Sequence, residues 1–445
     1  MEGLIMAAQL ICGLSLLVFV HELGHYLAAR YFGMRIDKFF IFFDAFGTKL
    51  WSKKIGDTEY GIGWLPLGGY VKIAGMIDES MDKEAMEQEP QPWEFRSKPA
   101  WQRFIVMIGG IVMNLLIGVI IFAGYLGYFE KDYIAVEDLK EGIYAHQLAE
   151  EVGLKTGDKL LAVNGEKPKR FKDYKGLAVL FGSTLTVDRN GDQLDIEVPG
   201  NLFKRGGEPF MEPFRHNIVV AGVADSMGAK LCGIQREDII AKVATRSIRN
   251  YGDLTDVLMS NKNATISFEV LRDGRTERMS CKVDSMGKLG FGPFFDSDAT
   301  NTLTAYTTGE TITYGIQEGW DAIYYNALGI GKMFTGDIDP VESMQSPIGI
   351  AKNIYGGTWE WGRFWRITGL LSFILAFMNI LPIPALDGGH MVFLGVEMLR
   401  GKPLSDKFLE RAQMVGMLIL LPLMLLVIGK DIWQIVAEYF GMILF

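Results

Sequence analysis

The sequence predicts a multi-pass α-helical membrane protein. It has four transmembrane helices, a membrane-dipping β-hairpin sheet after the first, and two β-rich domains inserted between helices 2 and 3. Three observations lead there. Uncharged apolar runs occupy residues 3–20, 104–129, 367–386 and 412–429, each close to or above the ~20 residues that span a hydrocarbon core. A short aromatic stretch punctuated by Gly and Pro follows the first run. More than 200 mostly polar residues, carrying an internal repeat, separate the second run from the third.

The first span takes residues 1–33. Met1 to Leu10 carries one Glu and no Lys or Arg. It lacks the basic start of a cleavable signal peptide, so the run reads as a retained helix. It leads straight into His21-Glu22-Leu23-Gly24-His25. HExxH sets two imidazoles at i and i+4 on one helix face. Neutral imidazole suits Zn²⁺, and the Glu between them is placed to take a proton from a metal-bound water. Ionisable groups at membrane depth are rare and usually functional.

Residues 34–76 form the β-loop. Ile36 to Phe43 is short, aromatic and apolar, and Ser52 to Asp57 reads as a polar turn. Thr58 to Trp64 and Gly69 to Ile73 read as strands joined by Leu65-Pro66-Leu67-Gly68, which is hairpin chemistry. A sheet edge cannot stay open to lipid. The sheet is expected to dip into the cytoplasmic leaflet, its edge covered or offered to a peptide. Residues 77–100 are an acidic linker, and 101–129 the second span.

In the insert, Gly153–Val163 lines up with Gly233–Val243 at an offset of 80. A helix-like stretch precedes each copy (Ala145 to Val152; Ala224 to Cys232). A second follows each (Phe171 to Phe181; Tyr251 to Ser260). Each closes on a hairpin, around Asn190-Gly191 and Asp273-Gly274. This is one small β-rich module used twice, at 130–212 and 213–297. In region 298–362, Ile312, Ile316, Trp320, Ile323, Ala327, Ile330 and Phe334 recur at helical spacing. They predict an amphipathic helix, lying on the membrane surface or packed on the modules.

The third span, in 363–399, ends Asn379-Ile380-Leu381-Pro382-Ile383-Pro384-Ala385-Leu386-Asp387-Gly388-Gly389-His390. Pro382 and Pro384 interrupt the helix, and the two glycines allow a tight turn beside the acid. Catalytic zinc takes three protein ligands and keeps one position for water. Asp387, an acid ending twenty uncharged residues, is the expected third ligand. His390 competes from three residues away, whereas His146 and His216 belong to the insert. Residues 400–445 hold the fourth span and the tail.

Net charge is −9 with no basic cluster, which argues against a nucleic-acid partner. No CxxC is present, which argues against a cysteine zinc site. Cys232 and Cys281 leave two readings: a disulfide in an oxidising compartment, or two free thiols. Segment 30–103 holds eleven Lys and Arg, and Arg400, Lys402, Lys407 and Arg411 follow the third run. Basic loops stay in the cytoplasm, so the termini and the insert are expected on the far side.

These motifs resemble the site-2 protease family of intramembrane zinc metalloproteases, in its bacterial regulator-of-sigma-E branch. HExxH lies on the first span. The family's N-x-x-P-x-P-x-L-D-G-G is matched by Asn379, Pro382, Pro384, Leu386, Asp387, Gly388 and Gly389. The paired modules are similar to PDZ domains. Gly110 and Asn114 match a second-span motif in which Ile111 replaces a Pro, Phe43-Asp44-Ala45-Phe46-Gly47 departs from the family's G-F-G, and Ser346-Pro347-Ile348-Gly349 matches a stretch before the third span. The resemblance implies zinc on His21, His25 and Asp387, Glu22 as base, and Asn379 holding an unwound substrate. Pro382, Pro384, Gly69, Tyr70 and Val71 complete the expected substrate-binding set. It also implies a bacterial inner-membrane location with a periplasmic insert and termini, and single-span membrane substrates such as anti-sigma factors or signal-peptide remnants. The PDZ-like pair then acts as a size filter. A zinc hydrolase of soluble peptides, or a non-catalytic membrane module with a structural metal, stands as the alternative.

Overall fold

The computed structural model describes residues 2–66, 68–76, 89–205, 208–214, 218–224, 227–295 and 303–439. The chain divides into two compact units, Asp132–Ala305 and the remainder, Met1–Lys131 with Tyr306–Phe445. In the second of these, four helices among the described residues are long and apolar enough to cross a membrane: Glu2–Tyr31, Ala100–Tyr128, Trp361–Ile380 and Lys407–Ala437. These are spans 1 to 4.

Spans 1 and 2 meet backbone to backbone. A Cβ on Gly24 would lie 2.2 Å from the Gly109 carbonyl oxygen, and one on Gly109 would lie 2.7 Å from that of Gly24. In lipid, apolar surface gives helices no reason to associate, so small residues that permit close packing decide where they cross. Ile111 leaves span 2 uninterrupted over Ala100–Tyr128.

Between these spans lies a four-stranded sheet: β1 (Ile36–Phe40), β2 (Lys49–Ile55), β3 (Thr58–Gly63) and β4 (Tyr70–Ile73), in the order β2-β3-β1-β4. Two expectations are corrected. Ser52 to Ile55 is strand, and only Gly56-Asp57 turns. Thr58–Trp64 and Gly69–Ile73 do not pair with each other. β1 lies between them, parallel to β3 and antiparallel to β4. β2 is almost wholly exposed and carries Lys49, Lys53 and Lys54. Its pairing is through backbone, without the alternation that marks a half-buried strand. β4 is left as an edge. Ile36 and Ile73 pack with Ala29, Val106 and Leu394. Phe95 joins that core, and its N–H donates to the Ala74 carbonyl. The end of the linker therefore docks on the sheet, while residues 77–88 lie outside the described residues.

The Thr308–Phe334 helix starts with a capping box, Thr307 to Glu310. Its packing face is not the apolar stripe. Thr311, Gly315, Gly319 and Ala322 are buried, with Gly315 against Val119 and Ala123 and Gly319 against the Phe373 ring. Ile312, Ile316 and Trp320 are exposed. The helix packs along spans 2 and 3.

In the Asp132–Ala305 unit the repeat extends to side chains. Ser183–Arg189 pairs with Asp192–Val198, and Thr265–Arg272 with Arg275–Lys282. Asp158 accepts from the Lys155 N–H and from Arg189, which also donates to the Gly153 carbonyl. Asp238 accepts from the Gln235 N–H and from Arg272, which also donates to the Gly233 carbonyl. Met211–Pro213 pairs with Ile143–Ala145, so the first module runs past 212. Leu303–Ala305 returns to pair with Asp132–Ile134, closing the unit beyond 297. Cys232 and Cys281 are disulfide-bonded.

The two modules meet at a buried histidine. His146 Nδ1 lies 2.6 Å from Asp256 Oδ1, and its Nε2 lies 3.6 Å from Glu212 Oε1. The Tyr144 hydroxyl donates to Asp256 Oδ2 at 2.7 Å. A Cβ on Gly252 would strike the Tyr144 ring at 2.0 Å, so glycine is what lets the modules close here.

Candidate metal centre

Span 1 carries His21 and His25 one turn apart, and both rings lie against Gly110 of span 2. A Cβ there would fall 2.6 Å from His21 Cε1 and 2.6 Å from His25 Nε2. Span 3 stops at Ile380, because Pro382 and Pro384 cannot continue it. Ala385 adopts φ 87°, Leu386 is the N-cap, and a new helix runs Asp387–Arg400. Side chains on Gly388 or Gly389 would strike the Ile380, Leu381 and Ile383 carbonyl groups at 2.3–2.5 Å. The glycines therefore let the new helix fold back on the proline turn, which carries Asp387 to span 1.

Three atoms converge. His21 Nε2 is 3.2 Å from Asp387 Oδ2, His25 Nε2 is 3.4 Å from the same oxygen, and the two nitrogens are 3.1 Å apart. A tetrahedral zinc with bonds of ~2.0–2.1 Å holds neighbouring ligand atoms about 3.3 Å apart. The trio has the edge lengths of one face of that tetrahedron. Apart from the two imidazole nitrogens, Asp387 Oδ2 is buried with no hydrogen-bond partner among the described residues, and a buried carboxylate oxygen is costly unless a cation meets it. The donor set fits zinc. His390 lines the same cavity but is not in the trio, and His216 lies outside the described residues.

The far ring nitrogens are held too. His25 Nδ1 sits 2.9 Å from the Val106 carbonyl oxygen, which can only accept, so Nδ1 bears the hydrogen and Nε2 keeps its lone pair. Asn114 stands 3.2 Å from His21 Nδ1 through its Nδ2, and its Oδ1 is buried without a partner among the described residues. Turning the amide over satisfies both: Oδ1 accepts from His21 Nδ1–H, and His21 Nε2 is freed toward Asp387. Outer partners of this kind fix ring orientation and tautomer in metal sites.

Glu22 is buried and lines a cavity of about 690 Å³ together with the trio, Asn379, Gly69 and the first two residues of β4, Tyr70 and Val71. Gly69 is required there, since a Cβ would lie 2.7 Å from the Phe40 carbonyl and 3.6 Å from Glu22 Cγ. Asn379 Nδ2 lies 3.4 Å from His21 Nε2. Pro382 and Pro384 are not in the cavity wall; they shape the turn, and Pro384 packs on Gly416 of span 4. Span 4 adds two wall residues that motif reading missed, Gln413 and Met417. The available signal was a lone amide near the start of the uncharged run 412–429.

Comparison with known proteins agrees with this geometry. The chain is 29% identical over 457 residues to the regulator of sigma-E protease RseP of Escherichia coli, covering 95% of this chain and 97% of that one. It is 28% identical over 457 residues to RseP of Salmonella typhimurium, with the same coverage. A Vibrio cholerae protein described provisionally as a zinc metalloprotease is 26% identical over 453 residues, again with 95% and 97% covered. The model of peptidase family M50 matches residues 9–423. Matched over nearly its whole length, the chain belongs to peptidase family M50, the site-2 proteases, and is a zinc metalloprotease.

Proposed function

We propose that this protease hydrolyses peptide bonds within the membrane-spanning segments of other proteins, with zinc held by His21, His25 and Asp387. The observation that carries the reading is the trio of atoms 3.1–3.4 Å apart, drawn from a helix fit to span a membrane and from the turn after another. Bound zinc supplies Lewis acidity, lowering the pKa of water from ~15.7 towards ~7 and polarising the scissile carbonyl. Glu22 takes the proton of the attacking water and delivers it to the leaving amine. Asn379 hydrogen-bonds the substrate backbone.

A helical substrate hides its carbonyls in its own hydrogen bonds, and opening it in lipid costs several kcal/mol per unpaired group. The outer side of the sheet at β4, with Gly69 just before it, offsets that cost by pairing with the extended chain. For this the sheet dips into the cytoplasmic leaflet.

The two repeated modules are PDZ-like and act as a size filter, admitting substrates already trimmed outside. They face the periplasm of a bacterial inner membrane, as do the termini. The Cys232–Cys281 bond supports this side, because disulfides persist in oxidising compartments. The sigma-E names of the relatives favour anti-sigma-factor-like single-span substrates, with signal-peptide remnants as a second class.

The test is Glu22→Gln in a membrane-reconstituted assay with a single-span substrate. Cleavage is lost while bound zinc stays at one per chain. Persistent cleavage by Glu22→Gln, or cleavage of soluble peptides in preference to a spanning helix, overturns the reading.

A further inference from the structure

Gln413 stands near the start of span 4, and only 3% of its surface is exposed. Its amide has no hydrogen-bond partner among the described residues, yet it lines the cavity that holds Glu22 and Asp387. A primary amide in a membrane helix is expensive unless something pairs with it.

The aim of the side chain is set by packing. A Cβ on Gly416 would fall 1.6 Å from the Pro384 carbonyl oxygen. Span 4 therefore lies directly on the turn that leads to Asp387. Residues three and four apart share a helix face. Gln413 and Met417 flank that contact on the cavity side, and span 4 cannot turn about its axis to carry Gln413 off the cavity without lifting Gly416 from the turn.

We propose that Gln413 is a substrate-binding residue, its carboxamide hydrogen-bonding the backbone of the unwound segment in the catalytic cavity. The group offers two N–H donors and a carbonyl acceptor. An extended peptide presents both kinds of partner, and a closed helix presents neither. Asn379, at the end of span 3, offers the same chemistry from another wall. The two amides bind main chain, so they favour unwinding without selecting sequence. This rests on the intramembrane reading given above.

The experiment compares wild type, Gln413→Met and Glu22→Gln as full-length protein in vesicles, on one single-span substrate. Methionine keeps length and volume and removes the polar groups. The expected result for Gln413→Met is unchanged bound zinc, an unchanged or higher Tm, and a fall of roughly tenfold in kcat/KM, the size of one or two net hydrogen bonds. A kcat/KM within about twofold of wild type overturns the proposal. So does a fall in Tm alongside the lost activity, which marks the amide as structural. Cleavage by Glu22→Gln is a separate failure, that of the underlying mechanism.

Discussion

Gly110 holds the place where His25 must sit: a Cβ on it would lie 2.6 Å from His25 Nε2. The contact is with a ring atom flanked by its own helix and by Val106, so the imidazole has no room to yield. Gly110→Ala is expected to push His21 and His25 off the Asp387 oxygen and to lower zinc affinity by about 10–100-fold, the range of outer-shell lesions. Competition with a chelator measures it, and an unaltered affinity contradicts the packing.

Asn114 is expected to behave as a tautomer lock. Asn114→Leu removes the acceptor for His21 Nδ1–H and lowers zinc affinity, again by about 10-fold or more. Asn114→Asp retains an acceptor and should restore most of the loss. Equal defects in both variants would show that the amide serves only packing.

The duplicated Arg–Asp pairs predict duplicated phenotypes. Asp158 and Asp238 are buried, and each is neutralised by one arginine, Arg189 or Arg272. Removing either arginine strands a buried carboxylate, at a cost of about 3 kcal/mol. Arg189→Ala and Arg272→Ala should each bring early proteolysis of its own module in the intact protein. A silent phenotype at either site would show that its pair is not needed.

The junction between modules should loosen in alkali. Burial alone would lower the pKa of His146, but the hydrogen bond to Asp256 and the nearby Glu212 carboxylate prevail and raise it to about 9. The proton is thus held more tightly in the folded state than in the unfolded chain, whose pKa is about 6.5. The stabilisation is fully present below that value and disappears as pH rises through about 9. Hydrogen exchange of the His146 and Asp256 segments across that range should show the opening, and His146→Gln should flatten the curve. Parallel curves for both proteins would remove His146 as the cause.

The metal site was legible because its parts are rare in combination: an HExxH ending one apolar run and an Asp-Gly-Gly ending another. The turn at Pro382–Pro384 and the hairpins of the insert were legible through turn chemistry. What escaped reading was governed by solvent. β2 pairs through backbone with lysines outward, so no apolar pattern announces it. On Thr308–Phe334 the buried residues are Thr311, Gly315, Gly319 and Ala322 while Ile312, Ile316 and Trp320 are exposed, and spans 1 and 2 touch most closely at Gly24 and Gly109. Inside lipid, size rather than hydropathy marks what is packed, and a rule learned in water points to the wrong face. Gln413 escaped because a single amide in a long apolar run has no motif around it.

The proposed ligand set draws on residues 21, 25 and 387 of a 445-residue chain, and this orders events during synthesis. A ribosome that has released both histidines must still make the second span, the whole insert and the third span before the acid exists. Until then the nascent chain holds two imidazoles and no complete site. A protease able to cut its neighbours' helices is thereby born inert, and becomes armed only when most of its own body is already in place.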